Sequence, residues 1–285
     1  MSWNIVGRKL PVGERTLVMG ILNVTPDSFS DGNQFFSSEA ALAHARRMVA
    51  DGADIIDVGG ESTRPGSTPV SPEEEIQRVL PVIEALAKET DVPISIDTTK
   101  SMVARTALAA GAAIVNDISA LRFDYHIADE VVKAGAGLVL MHSRGTPATM
   151  QRLPAVADVI SEVIHSLKGS VSMAERRGVP RESIVIDPGI GFGKTFDQNL
   201  ELITKLDQIV AAFPDLPLLI GTSRKGFLGH LLADSGGTPA PVSERLPGTL
   251  ATVTAAILKG AQIVRVHDVK ETVEAARVAD GLRGT

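Results

Sequence analysis

The last apolar run of the chain, Val264-Arg265-Val266-His267-Asp268, alternates in polarity, so a strand there carries Arg265 and His267 on one face, two residues apart. Such a cationic pair is suited to an anion or to negative charge developing in a reaction. A buried, satisfied histidine is an open alternative for His267, although it leaves the Arg beside it unexplained. Gly221-Thr222-Ser223-Arg224-Lys225-Gly226 follows another apolar run and opens a helical segment. Its backbone N–H groups and the Ser223 hydroxyl can meet a carboxylate or phosphate, with Lys225 in reach of the same place. Asn23, Asp57, Asp97, Asn116, His142 and Asp187 also stand where short apolar runs end. An Asp or Asn there is commonly a helix cap or an Asx turn, and that reading stays open for Asp57 and Asp97. Capping does not account for the basic members of the set.

The segment Asp187-Pro188-Gly189-Ile190-Gly191-Phe192-Gly193-Lys194-Thr195 has the look of a phosphate loop, but Pro188 occupies the place of the first glycine of GxxxxGK[ST]. The spacing also misses GxGxxG. What remains is a turn that lets backbone approach a flat ligand, with Lys194 either solvated or functional.

For these residues to converge, the elements carrying them must end at one place. Short β-branched runs alternate with longer segments of helical period, the pattern of βα units around a parallel sheet. Strands are expected at Leu17–Val24, Asp54–Gly59, Pro93–Thr98, Ile114–Ile118, Leu138–His142, Ile184–Pro188, Leu218–Gly221 and Ile263–Asp268. Eight units predict an α/β chain folded as a closed (β/α)8 TIM barrel, with an open doubly wound sheet as the alternative; both gather ligands at the carboxyl ends of strands. The 285 residues suit one barrel domain spanning 1–285. Ser71, Pro72 and Glu74 predict a helix start, with Glu73-Glu74-Glu75 as its solvated first turn. Long loops follow the first two strands, Thr25 to Ser37 and Gly60 to Val70. Loops of such length in a compact domain are commonly functional, and Asp27, Ser28, Phe29, Ser30 and Asp31 in one and Glu61, Ser62, Thr63, Arg64 and Pro65 in the other offer anion donors, a carboxylate for a metal and apolar covers. The small-residue stretch Leu250–Leu258 suits helix packing, in the core or between subunits.

The net charge of −6 argues against a general nucleic-acid or anionic-membrane surface. The absence of cysteine removes thiolate nucleophiles, disulfides and Cys-based zinc sites, and fits a cytoplasmic location. No apolar run reaches the ~18 residues of a membrane span, and the amino-terminal residues do not read as a secretion signal.

Several long strings together carry a resemblance: Gly20-Ile21-Leu22-Asn23-Val24-Thr25-Pro26-Asp27-Ser28-Phe29-Ser30-Asp31-Gly32, then Asp57-Val58-Gly59-Gly60-Glu61-Ser62-Thr63-Arg64-Pro65-Gly66, the Asp187–Lys194 segment, Ser223-Arg224-Lys225 and Arg265-Val266-His267-Asp268. In order and approximate spacing, from about Thr16 to the end, they resemble dihydropteroate synthases. The departures are Ser143, where many members have methionine, and Val156, where an aromatic is common. The resemblance implies a pterin pocket inside the barrel formed by Asp97, Asn116, Met141, Asp187, Phe192, Gly221, Lys225 and Arg265. It implies pyrophosphate held by Asn23, Thr63, Arg64, Arg265 and His267, with Mg²⁺ on Asn23 and Asp27. It implies 4-aminobenzoate among Phe29, Pro65, Phe192, Ser223 and Lys225. Asp97, Lys225, Arg265 and His267 are then the catalytic groups, acting on small-molecule substrates in a homodimer, with no nucleic-acid or membrane partner. Two rival readings share the pterin site: a methyltransferase moving methyl from methyltetrahydrofolate to a corrinoid protein, and a paralogue that binds pterin without turnover.

Overall fold

The fold was analysed in a computed structural model that describes residues 2–25, 34–63 and 66–284, apart from the side chains of 34–37 and 151. Its central sheet has eight parallel strands: β3 (Leu17–Asn23), β4 (Ile55–Gly59), β5 (Ile94–Asp97), β6 (Ile114–Asp117), β7 (Gly137–Met141), β8 (Ile184–Asp187), β9 (Leu219–Ile220) and β10 (Ile263–Val266). They lie in the order β8-β7-β6-β5-β4-β3-β10-β9. A parallel bridge from Ile186 to Leu218, with the Ile186 amide donating to the Pro217 carbonyl at 3.0 Å, joins the two ends and closes the barrel. The helices α1 (Gln34–Ala50), α2 (Pro72–Glu89), α3 (Ser101–Ala109), α4 (Ile127–Ala134), α5 (Val159–Arg176), α6 (Phe196–Thr204), α7 (Leu206–Ala212), α8 (Gly226–Leu231), α9 (Leu246–Leu258) and α10 (Val269–Arg283) alternate with the strands. All eight expected strands are present, each shorter than its apolar run or equal to it in length.

The period of two along each strand decides which residues face inward. Val18, Leu22, Ile56, Val58, Ile94, Ile96, Val115, Leu138, Leu140, Ile184, Ile186, Val264 and Val266 pack with the helices in the outer core. Their neighbours Leu17, Met19, Ile55, Ile114, Val139, Val185, Leu219 and Ile263 form a second apolar cluster inside the barrel. Two residues further along the same inward faces stand Asp57, Asn116, Met141, Asp187 and Arg265. The lumen therefore has an apolar floor and a polar mouth.

A hairpin not anticipated from sequence seals the floor. Strands β1 (Ser2–Ile5) and β2 (Arg8–Pro11) pair antiparallel around Val6-Gly7, where Gly7 has φ +66, the left-handed backbone such a two-residue turn requires. Trp3 and Ile5 join the inner cluster, fully or nearly fully buried, and Trp3 Nε1 donates to the Ser183 carbonyl at 2.9 Å. Beneath the indole lies Gly137, where an added Cβ would come within 3.0 Å of the ring.

Helix α2 starts as expected, with Ser71 Oγ accepting from the Glu74 amide at 3.1 Å and Pro72 in the first turn. One expectation fails there. Glu73 and Glu74 are exposed, but Glu75 is 1% exposed and ion-paired with Lys100, so the acidic run is not wholly solvated. Of Leu250–Leu258, Val253, Ala256 and Ile257 face the core whereas Leu258 is exposed.

Replacing Trp3 with Ala should lower the unfolding free energy by roughly 3–5 kcal/mol, as for other fully buried aromatics, without altering ligand affinity at the far end of the barrel. Denaturant titration checks this, and an unchanged midpoint would mean that the hairpin is not a plug.

Candidate active site

The mouth is organised around Arg265, the inward residue of β10. Its Nε donates to Asp57 Oδ2 at 2.6 Å and its Nη2 to Asp97 Oδ2 at 2.6 Å. Asn116 Nδ2 donates to the same Asp57 oxygen at 3.0 Å. Asp57 is fully buried, and its Oδ1 has no hydrogen-bond partner among the described residues. Asp57 and Asp97 are therefore not helix caps, and the alternative left open for them falls away.

Burial, only partly offset by Arg265 and reinforced by Asp57, pushes Asp97 up to about 7. Burial also raises Asp187, against the pull of Lys225 and of the Gly189 amide, which donates to Asp187 Oδ1 at 2.6 Å. For Arg265, desolvation is outweighed by Asp57 and Asp97, so its pKa rises and it stays charged. Lys225 is moved the other way: burial, opposed by Asp187 and assisted by Arg265, brings it down to about 8. Its ammonium donates to the Ile190 carbonyl and lies 4.5 Å from the centre of the Phe192 ring, a cation–π contact.

The turn carrying Lys225 is held in an unusual shape. Arg224 has φ +58, a left-handed conformation costly for a side-chain-bearing residue. Three contacts hold it: its amide donates to Thr249 Oγ1 at 3.0 Å, its Nε to Asp268 Oδ2 at 3.0 Å, and its carbonyl accepts from Arg245 at 3.0 Å. Buried Ser223 thereby reaches His267, with Oγ and Nδ1 at 2.9 Å and the His267 amide donating to the same oxygen at 3.2 Å. Helix α8 after this turn is only six residues long, so its dipole adds little anion affinity.

Met141 and Asp187 lie side by side in the β7–β8 register, and Gly221 leaves the space beside the Arg265 stem open. Asn23, the last residue of β3, brings its amide oxygen near Asp97 across Gly59. Thr63 and Asp97 line one cavity of about 230 Å³ on the β4–β7 side of the rim. Asp27, Phe29, Arg64 and Pro65 lie outside the described residues. The remaining sequence candidates share one rim.

A sequence model of the family described as pterin binding enzyme matches residues 19–267. Dihydropteroate synthase from Synechocystis is 49% identical over 270 residues, 95% of this chain and 91% of that one. The chain belongs to the dihydropteroate synthase family. Among solved members, dihydropteroate synthase from Clostridium difficile in the presence of pteroic acid aligns with a TM-score of 0.88 at 45% identity, covering 96% of this chain and 98% of that one. The Xanthomonas albilineans dihydropteroate synthase with 4-aminobenzoic acid gives 0.90 at 41%, with both chains fully covered.

Against this family background, three site features escaped the sequence reading. Asp57 was one strand-end carboxylate among several, and its inward phase is set by Ile55 of the inner cluster, two residues before it. Lys194 is neither solvated nor free: it is 6% exposed and donates to the carbonyls of His142, Pro188 and Gly189 at 3.0, 2.9 and 2.7 Å. It staples the turn after β8 to the end of β7, and burial holds its pKa well below the usual lysine value. Gly189, at φ +68, sits so close to the His142 carbonyl that any Cβ would overlap it. His142 itself is held neutral, its pKa lowered to about 2 by burial and then by Lys194, Arg122 and Arg144. It shapes the rim without supplying charge. Ser143, a departure from the family pattern, is buried and accepts from Arg122 at 2.6 Å.

Replacing Lys194 with Met leaves those carbonyls without this donor and should cost about 1–3 kcal/mol of stability, the usual penalty for unsatisfied buried polar groups. Urea unfolding reads the loss; a variant as stable as the parent would show that water replaces the staple.

Proposed function

We propose that this chain works as a dihydropteroate synthase (EC 2.5.1.15), a transferase condensing 7,8-dihydropterin-6-ylmethyl diphosphate with 4-aminobenzoate to give 7,8-dihydropteroate and pyrophosphate. The observation carrying this reading is the divided rim: buried Asp57, Asn116 and Asp187 and the largely buried Asp97, on β4 to β8, face Lys225, Arg265 and His267 from β9 and β10. One side suits the N–H edge of a flat heterocycle and the other an anionic leaving group.

In this reading Asp187 and Asn116 take the amino and ring-nitrogen edge of the pterin. Each charge-assisted hydrogen bond contributes about 1.5–3 kcal/mol. Arg265 stacks on one ring face and Met141 packs under the other, with Gly221 leaving room beside them. Lys225 and Phe192 stand between pterin and aminobenzoate, whose ring also meets Phe29 and Pro65 and whose carboxylate meets Ser223. Asn23, Thr63, Arg64, Arg265 and His267 receive the diphosphate.

Mg²⁺ takes oxygen ligands and commonly only one or two from protein, which the amide oxygen of Asn23 suits, with Asp27 as a further ligand; among the described residues no group of three or more His, Cys, Asp or Glu could form a protein-only metal cage. When bound, the ion would neutralise charge on the departing pyrophosphate.

The neutral arylamine has a lone pair, so departure of the leaving group governs the rate. The exocyclic C–O bond breaks first, its electron pair leaving with pyrophosphate. The positive charge left on the methylene spreads into the dihydropterin ring, where ionised Asp97 stabilises it. The amine then forms the C–N bond and releases a proton. Arg265 and His267 act where negative charge grows.

The chain acts in this reading as one domain, residues 1–285, in the cytoplasm, a location consistent with its lack of cysteine. Exposed Leu258 on α9 and Val278 on α10 support a homodimer through these helices.

Pyrophosphate release with both substrates and Mg²⁺ tests the activity directly. Release that does not depend on aminobenzoate, or pterin binding without release, would reject it in favour of a hydrolase or a non-catalytic binder. Asp187→Ala should weaken pterin binding by roughly 10²–10⁴-fold at 1.4 kcal/mol per decade; a calorimetric loss below about threefold would remove Asp187 from the site.

The pKa shifts set a pH window. Below about 7 Asp97 gains a proton and cannot stabilise the cation, and above about 8 Lys225 loses its charge. A bell in kcat/KM with its limbs near these values is expected. The substrate diphosphate also ionises on the acid side, so Asp97→Asn is the control. If the acid limb persists in that variant at full height, it belongs to the substrate.

A further inference from the structure

A second, partly buried charge cluster adjoins the mouth and has no part in the chemistry above. Lys100 lies three residues beyond Asp97, in extended conformation at the start of α3. Its ammonium donates to Glu61 Oε2, in the loop after β4, and to Glu75 Oε2 at 2.5 Å, in the first turn of α2. Glu75 is 1% exposed, and its Oε1 has no hydrogen-bond partner among the described residues. A glutamate buried so fully is costly, and its own helix does not need it, because Glu73 and Glu74 already serve the amino-terminal dipole from solvent. Its effect is to seat Lys100, whose remaining donor capacity goes to Glu61.

The root of the β4 loop is fixed on either side of that contact. The Gly60 carbonyl accepts from Arg78 Nη1 of α2 at 2.7 Å, and the Ser62 carbonyl accepts from Ser67 Oγ at 2.5 Å. Further on, the Gly66 amide donates to the Pro147 carbonyl at 3.3 Å. The cavity of about 230 Å³ enclosed there is lined by Glu61, Thr63, Glu75, Asp97 and Lys100, among others. One ammonium thus connects the strand end bearing Asp97 to the loop bearing Thr63.

We infer that Lys100, seated on buried Glu75, is a positioning residue that fixes Glu61 and so holds Thr63 at the leaving-group end of the site. This rests on the proposed reading, in which Thr63 receives the diphosphate. The pterin ring is held by side chains of the strands and of the turn after β9, so the two parts of the substrate should respond differently to loss of the clamp.

The experiment compares the parent with Lys100→Met, Lys100→Arg and the double variant Glu75→Gln/Lys100→Met, which removes the buried charge together with its counter-charge and keeps the test alive if the single variant fails to fold. Lys100→Met and the double variant should raise KM for the pterin diphosphate by about tenfold or more and lower kcat, while affinity for a pterin lacking the diphosphate stays within about threefold of the parent. Lys100→Arg should recover most of the loss. An unchanged KM, or a parallel loss of affinity for the plain pterin, overturns the inference. If the parent itself releases no pyrophosphate, the functional reading fails, and amide exchange then judges the clamp alone. Faster exchange at 61–63 and 66–69 in Lys100→Met supports it, and unchanged exchange overturns it.

Discussion

The mouth of this barrel depends on one guanidinium. Asp57 and Asp97 stand on neighbouring strands, both largely removed from water, and two carboxylates so placed cannot both ionise without a cation between them. Arg265 reaches them from β10, which is separated from β4 by β3, so its two hydrogen bonds run across the mouth and not along one ladder. The floor below is apolar apart from Ser95, whose buried hydroxyl makes no hydrogen bond among the described residues. The rim balances its charge incompletely: Asp97 is left titrating near neutrality, and one oxygen of Asp57 is without a donor among the described residues. An environment of this kind is unfavourable for the empty protein and favourable for a ligand that brings N–H groups.

The distribution of charge around the rim follows from strand order. Carboxylates and Asn116 end β4, β5, β6 and β8, whereas the cations end β9 and β10, so closure of the sheet brings the last strands of the sequence against the first. A parallel α/β barrel supports many chemistries, and the fold alone does not choose among them. The choice lies in this polarity across a lumen narrow enough for side chains on opposite walls to touch. Lys225, pulled down toward neutrality by burial and by Arg265, sits at the boundary between the two halves, where a group able to donate a hydrogen bond without adding a full permanent charge is useful.

Much of this was legible before any coordinates. The eight strands announced themselves because parallel strands buried on both faces read as short apolar runs, most of them with a polar residue at or near the end. The residues that escaped did so for identifiable reasons. Glu75 looks like a third solvated acid because its partner Lys100 is 25 positions away and nothing local predicts their meeting. Lys194 resembles a phosphate-loop lysine by type and neighbours, yet its role is to satisfy three carbonyls that come from two different strand ends. The four-residue strands of the hairpin are too short to show a period. Local pattern reveals elements and their phase; long-range partners of charges are set by closure of the barrel.

That closure also separates stability from access. With Trp3 and Ile5 sealing one end, the groups deepest in the lumen among the described residues, Asp57, Asn116 and Asp187, lie below the rim carrying Lys225, Phe192 and Ser223. Under the proposed reading the pterin therefore enters before the aminobenzoate, and its ring becomes part of the wall against which the second substrate is placed. The loop root that Lys100 contacts borders the same mouth, since Glu61, Thr63 and Lys100 line one cavity with Asp97. In that reading, the order of binding follows from the pterin groups lying below the groups that meet the aminobenzoate.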